Sequence, residues 1–305
     1  KSSRAGWATG FALLRNAGLA LAEAQRCAPG QARARAFEPR MADAVAAQLS
    51  MARELRKAIA QHEFVLHYQP RFDFGRRRSS DVEALLRWRR ADGTLTPPAE
   101  FIPALEESGL IVEVGDWVLA EAARQARAWL DAGVPLGRVA VNVSARQFVQ
   151  ANLVERFAGL LERAGVPASM FELELTESCL MRDPEQAAEA LAQLKSRGFS
   201  LAIDDFGTGH SSLAYLKRFP VDVLKIDRSF VRDMVGEPDS AAIVRTTISL
   251  GHSLKLRVVA EGVENEAQAA LLEREGCDDA QGFLYARPLE PDACAEHLRG
   301  CAAPA

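Results

Sequence analysis

Acidic and amide side chains recur in this sequence within or at the ends of short apolar runs. Glu83 lies inside Val82-Glu-Ala-Leu-Leu, and Asn142 follows Val141. Glu172, Glu174 and Glu177 surround Leu175-Thr176, and Asp204 and Asp205 follow Ile203. Lys225 sits in Leu224-Lys-Ile-Asp227, and Glu261 and Glu264 follow Ala260. One charge in such a run ordinarily faces solvent or pairs with a neighbour. Six consecutive runs that each supply an oxygen donor or a lysine point to one shared mouth instead. Carboxylates converging there repel one another and rise in pKa unless cations neutralise them. A donor set of oxygens without Cys or His suits hard divalent ions such as Mg2+ or Mn2+. Adjacent Asp204 and Asp205 can serve two ions, one bridging, the arrangement that in-line displacement at phosphorus needs. Lys225, with apolar residues on both sides, offers a cation able to orient or acidify a nucleophilic water. The next loop, Phe206-Gly-Thr-Gly-His-Ser-Ser, is built for mobile hydrogen bonding above the site; apart from the Asp pair it would read as an ordinary turn.

Placing these residues together requires a scaffold of repeated strands. Apolar runs at Phe64 to Phe74, Val82 to Trp88, Arg138 to Val143, Phe171 to Leu175, Leu201 to Ile203, Val223 to Ile226 and Arg257 to Ala260, with a weaker one near Ala280, read as strands. Amphipathic stretches at Trp117 to Ala132, Leu153 to Ala164, Pro184 to Ser196 and Ser240 to Leu254 read as the helices between them. Another helix is expected over Ala42 to Gln61. Eight strands with intervening helices have the rhythm of an α/β fold of the TIM-like (β/α)8 barrel type. An open doubly wound sheet is the alternative, but no GxGxxG follows the first strand.

The 305 residues allow one large domain or two ordinary ones. A net charge of −4 argues against a sequence-independent grip on nucleic-acid polymer but leaves a small anionic ligand open. Five cysteines without a CxxC pair indicate neither a disulfide framework nor a zinc ribbon, and reduced cytoplasmic thiols are expected. No apolar run reaches the length of a membrane span, although the parent protein could still be membrane-tethered.

Several motifs occur in order: Glu83-Ala-Leu with Arg87, Asn142-Val-Ser, Glu174-Leu-Thr-Glu-Ser, the run Asp204 to Ser212, Lys225-Ile-Asp, Glu261-Gly-Val-Glu264 and Gln281-Gly-Phe. Together, over about residues 50 to 298, they resemble the EAL-domain family, bacterial phosphodiesterases that hydrolyse cyclic di-GMP to linear pGpG. The resemblance implies a barrel whose first strand runs antiparallel to the others. It assigns Glu83, Asn142, Glu174 and Asp204 to one ion, and Asp204, Asp205 and Glu261 to a second, both Mg2+ or Mn2+. Lys225 then corresponds to the residue that binds the attacking water, with Glu83 and Glu261 joining it as catalytic groups. Glu177 corresponds to the glutamate that anchors the loop after the fifth strand. Gln69 and Arg87 correspond to ligand contacts, and Glu264 and Gln281 to supporting or substrate-orienting groups. A homodimer is the expected assembly.

Some positions depart from the family pattern. His210 replaces a common Tyr in the gating loop, Asp81 replaces a common Gly, and Arg76-Arg-Arg, which reads as a solvated hairpin turn, lacks the usual Thr-Gly. None of these removes an expected metal donor. Residues 1–48 are expected to be a linker or the C-terminal remnant of a GGDEF-like domain, resembling its last helix around Leu13 to Ala24 and an exit segment at Phe37 to Met41. The EAL barrel is expected over 49–300, behind an upstream GGDEF or sensory domain in the parent chain. The rival readings are a catalytically silent cyclic di-GMP receptor and an interaction module. Silent receptors of this family typically lack metal-binding residues, and here all six are present.

Overall fold

The computed structural model describes residues 36–208 and 213–301, together with 16–18, 20, 21 and 24. Its strands are β1 (Phe64–Asp73), β2 (Arg78–Arg89), β3 (Leu95–Thr96), β4 (Val139–Asn142), β5 (Phe171–Thr176), β6 (Ser200–Phe206), β7 (Val223–Ile226), β8 (Arg257–Glu261) and β9 (Asp279–Gln281). They form one sheet in the order β1-β9-β8-β7-β6-β5-β4-β2-β3, and a further β1–β2 pairing closes it. Eight strands thus make a barrel, while β3 is a two-residue extension on the outer end of β2. β1 runs antiparallel to both of its barrel neighbours, and the remaining barrel pairs are parallel. The barrel and its reversed first strand therefore agree with expectation.

Local chemistry explains the connections. The β1–β2 hairpin turns through Arg76 and Arg77, with Arg77 in the left-handed region (φ 55°) and the Asp73 carboxylate accepting the Arg76 N–H at 2.8 Å. The arginine cluster is accordingly a turn. Helix starts are marked by Asp183 before Pro184, and by capping boxes that pair Ser144 with Gln147 and Asn265 with Gln268. Helix Ile111–Asp131 begins six residues before the expected Trp117, and its buried face uses Val114, Val118, Leu119, Ala122, Ala126 and Trp129 at helical spacing. A helix at Pro98–Ser108, not anticipated from periodicity, covers the outer face of β2 and adds Phe101 to a ring cluster with Phe64, Trp88 and Trp117.

β6 differs most from its sequence reading. It extends past Ile203 through Asp204, Asp205 and Phe206, with a register shift against β7 between Ile203 and Phe206. Asp205 at the shift has φ 54°. The carboxylates ended the apolar pattern in sequence, yet the irregularity lets the ladder continue and sends consecutive aspartates in different directions.

The main core lies between strands and helices. A separate cluster of Ala202, Val223 and Val259 is formed by residues two positions before Asp204, Lys225 and Glu261 along β6, β7 and β8, and so shares their inward face. Helix Pro39–Ala60 runs continuously across the 48/49 boundary and buries Leu55 and Ala58. Half of the stretch Leu13 to Ala24 likened to the last GGDEF helix, and His210 with the rest of 209–212, lie outside the described residues. Among the described residues, no helix is long and apolar enough to cross a membrane.

Candidate active site

The parallel strands deliver their polar residues to the barrel interior and its upper mouth, where the strands end. Adjacent strands are in register such that Gln69 pairs with Glu83, Asn142 with Glu174, Thr176 with Asp204, and Glu261 with Gln281. Lys225, which is 0% exposed, is the centre of the arrangement. Its Nζ lies 2.5 Å from Glu261 Oε1, 2.7 Å from Glu174 Oε2, 3.3 Å from Asp204 Oδ1 and 3.8 Å from Glu83 Oε2. Four of the five expected metal carboxylates therefore surround one ammonium. Asn142 Nδ2 donates to Glu83 Oε1 at 2.6 Å, joining the amide to the same group. Gln281 Nε2 donates to Glu83 Oε2 at 2.6 Å and to Gln69 Oε1 at 3.2 Å. Gln69 in turn donates to the Ala286 carbonyl at 3.0 Å.

The remaining expected residues sit around this centre. The Asp205 side chain is outside the ring about Lys225, facing Asp227, and its N–H donates to Asp204 Oδ1 at 3.0 Å. Glu177 is buried, with Oε2 accepting the Gly207 N–H at 3.2 Å at the start of the loop after β6, while its Oε1 has no hydrogen-bond partner. Arg87 is half-buried, donates to the Leu86 carbonyl at 2.9 Å, and lines a largely apolar cleft of about 300 Å³ with Asn142, Pro98, Ile102 and Thr176. Glu264 is exposed, and only its backbone N–H, donating to Gln268 Oε1 at 2.8 Å, is fixed. The structure does not bring the Glu264 carboxylate to the cluster.

Sequence reasoning missed Arg71. Its guanidinium is buried in the barrel, bonded to Glu172 Oε1 at 2.6 Å, to Glu174 Oε1, and through Nε to Gln281 Oε1 at 3.2 Å. The signal was present in Gln69-Pro-Arg71, since strand alternation puts both residues on one face.

Electrostatics follow from this crowding. Burial drives the Glu174 carboxyl well above its usual range, with Glu83 adding to the rise; Lys225 and Arg71 oppose it. Burial likewise raises Glu261, despite Lys225. Burial also acts upward on Glu83, but Lys225, Arg71 and the hydrogen bonds from Gln281 and Asn142 outweigh it and hold Glu83 low. Asp205 is pushed up to about 6 by burial and by the neighbouring Asp204 and Asp227. Among the described residues, no three Asp, Glu, His or Cys side chains form a metal cage, because the carboxylates are gathered on Lys225 and Arg71. Their chemistry nonetheless fits a hard divalent ion: the donors are all oxygen, and Glu83, Glu172, Glu174, Asp204 and Glu261 outnumber the two buried cations.

The sequence pattern of the EAL domain matches residues 52–288. The chain belongs to the EAL-domain family. It is similar to the bifunctional diguanylate cyclase/cyclic di-GMP phosphodiesterase MucR of Pseudomonas aeruginosa, with 46% identity over 83% of this chain and 37% of MucR. It is also similar to the cyclic di-GMP phosphodiesterase PdeR of Escherichia coli, with 40% identity over 91% of this chain and 42% of PdeR. The chain thus spans about two-fifths of these relatives. Among solved structures, the PaMucR phosphodiesterase in complex with c-di-GMP matches with a TM-score of 0.78 and 46% identity, over 80% of this chain and 99% of that one. Within this EAL barrel, the motif residues Glu83, Asn142, Glu174, Asp204, Lys225, Glu261 and Gln281 meet at the Lys225 centre.

Proposed function

We propose that this EAL barrel is a metal-dependent phosphodiesterase that hydrolyses cyclic di-GMP to linear pGpG. The observation that carries the proposal is the gathering of Glu83, Glu174, Asp204 and Glu261 around buried Lys225, with Asn142 attached to Glu83, so that no donor of the expected set has been replaced. The names of the relatives MucR and PdeR, and the c-di-GMP complex of the PaMucR phosphodiesterase, support the substrate.

Glu83, Asn142, Glu174 and Asp204 are the residues to hold one ion, and Asp204, Asp205 and Glu261 the second. Two bound Mg2+ or Mn2+ ions would supply positive charge at the scissile phosphate and lower the pKa of a bound water. The chain's own residues do the rest. Lys225, a donor-only ammonium, turns one N–H from its carboxylates to the oxygen of the attacking water; that oxygen bonds phosphorus as the water's proton passes to a raised carboxylate, and the ribose oxygen leaves and is protonated, opening the ring to linear pGpG. Gln69 and Gln281 orient the substrate from the floor of the mouth, and Arg87 meets it at the rim. The cleft beside Arg87 and Asn142 has the size and apolar lining to receive a purine base. Glu177 ties the start of the loop after β6 to the barrel. Glu264, exposed at the rim, contacts the site only if substrate or loop closure draws it in. Residues 1–48 we assign as a linker or remnant of a GGDEF-like domain ahead of the barrel at 49–300, in keeping with the double activity in the name of MucR.

Product analysis with purified protein, cyclic di-GMP and Mg2+ or Mn2+ tests this reading. Formation of pGpG is expected, and Glu83→Ala should abolish it through loss of a metal donor. Retained nucleotide affinity with no product across metals, pH values and oligomeric states would replace the enzyme reading with that of a receptor.

A further inference from the structure

Arg71 crosses the barrel from β1 to β5, strands that are not neighbours in the sheet, and also reaches β9. It is 4% exposed. Its planar fork meets three acceptors: Nη1 is 2.6 Å from Glu172 Oε1, Nη2 bonds Glu174 Oε1, and Nε is 3.2 Å from Gln281 Oε1. Because guanidinium only donates, each contact fixes the orientation of its partner. Gln281 must turn its carbonyl toward Arg71, which aims the amide NH2 at Glu83 Oε2 and Gln69 Oε1. Glu174 gives Oε1 to Arg71, leaving Oε2 for the Lys225 centre at 2.7 Å. Glu172, paired with Arg71 and accepting from the Ser200 hydroxyl at 3.2 Å, anchors the other side of the fork.

We infer that Arg71 is a positioning residue of the site: it sets the direction in which Glu174 presents its second oxygen, Oε2, and the direction of the Gln281 amide that orients Glu83. Glu174 and Glu83 belong to the donor set of the phosphodiesterase reading, and the inference rests on that set. A lysine keeps the charge but not the three-point fork. Orientation, rather than charge alone, is therefore the property to test.

The experiment is calorimetric titration of Mn2+ into metal-free wild type, Arg71→Lys and Arg71→Met, without nucleotide, alongside their thermal transitions and steady-state kinetics. Loss of an orienting partner typically costs about 10–100-fold in metal affinity. A fall of that size is expected in both variants, with Arg71→Lys folded near the wild-type transition and not rescued by its charge. A folded variant that binds Mn2+ within about twofold of wild type would overturn the inference, as that margin lies well inside the expected loss. A crystal structure of the wild type with Mn2+ decides it independently of variant folding. Arg71 still bonded to Glu174 and Gln281 supports the role, and Arg71 released from both refutes it. Wild type that binds Mn2+ yet forms no pGpG would sink the phosphodiesterase reading and leave the Arg71 inference to the isotherms. Wild type that binds no Mn2+ would overturn the inference itself.

Discussion

Lys225 ties the stability of the barrel to its proposed chemistry. Fully buried, it balances Glu83, Glu174, Asp204 and Glu261, and removing it leaves several buried carboxylates without their main counter-charge. Breaking a buried pair in this way costs about 3–5 kcal/mol. Lys225→Met should therefore melt well below wild type in chelator. Mn2+ should restore much of the difference by supplying the missing positive charge, whereas turnover should stay low. Calorimetric melting with EDTA or Mn2+ checks this, and equal transitions for both proteins in EDTA would contradict it. The carboxylates also predict a pH dependence. Raised acids are protonated below their shifted pKa, and a proton competes with a metal. Asp205 sits near 6, and Glu174 and Glu261 are raised too, so Mg2+ or Mn2+ affinity should fall as pH drops through 6 and grow toward neutral pH. Metal titrations at pH 5.5, 6.5 and 7.5 measure it; affinity constant across that range would refute the burial argument.

At the scale of elements, the ends of strands and the loops beyond them determine where donors point. Gly282, directly after β9, has no room for a side chain: a Cβ there would overlap backbone atoms of Val263, which cannot swing aside as a flexible side chain would. That close approach permits the Val263 N–H to bond the Gln281 carbonyl at 3.1 Å and the Leu284 N–H to bond the Val263 carbonyl at 3.0 Å. Gly282→Ala should cost about 1–3 kcal/mol through overpacking. It should also depress turnover more than stability alone accounts for, because it displaces Gln281. Denaturant titration and kinetics on the same sample separate the two effects, and unchanged values in both would count against this account. The strands themselves were readable from their apolar runs, and Val223–Ile226 matches to the residue. The extension of β6 through Asp204 and Asp205 was not, since charged residues end an apolar pattern and only the neighbouring strands show that the ladder continues.

At the scale of the whole molecule, closure depends on the reversed first strand. β1 pairs with β2 along most of its length but with β9 only at Phe72 with Ala280 and Asp73 with Asp279. Arg257 reinforces that short seam, bonding Asp279 at 2.7 Å and Asp73 at 3.3 Å. The β5–β6 ladder is longer, running from Glu172 with Ser200 to Thr176 with Asp204. Amides of the β1–β9 seam should therefore exchange hydrogen faster than those of β5 and β6, since local opening needs fewer bonds broken there. Hydrogen-exchange mass spectrometry or NMR would show it, and stronger protection at the seam would refute the ordering.

The sequence alone determined which donors are available and in what order the strands present them. Strand periodicity, strand-end placement and oxygen-only chemistry are local properties, readable without a partner strand. They singled out Glu83, Asn142, Glu174, Asp204, Asp205, Lys225 and Glu261 before any contact was known. Tertiary structure alone decided that Lys225 is the hub, that Asp205 turns aside to Asp227, and that Glu264 stays exposed. It also brought in Arg71, whose partners Glu172, Glu174 and Gln281 lie 101, 103 and 210 residues away in sequence. The physical reason is closure: which oxygen faces which cation depends on the stagger between strands, and that stagger exists only once β1 has joined β2 to β9.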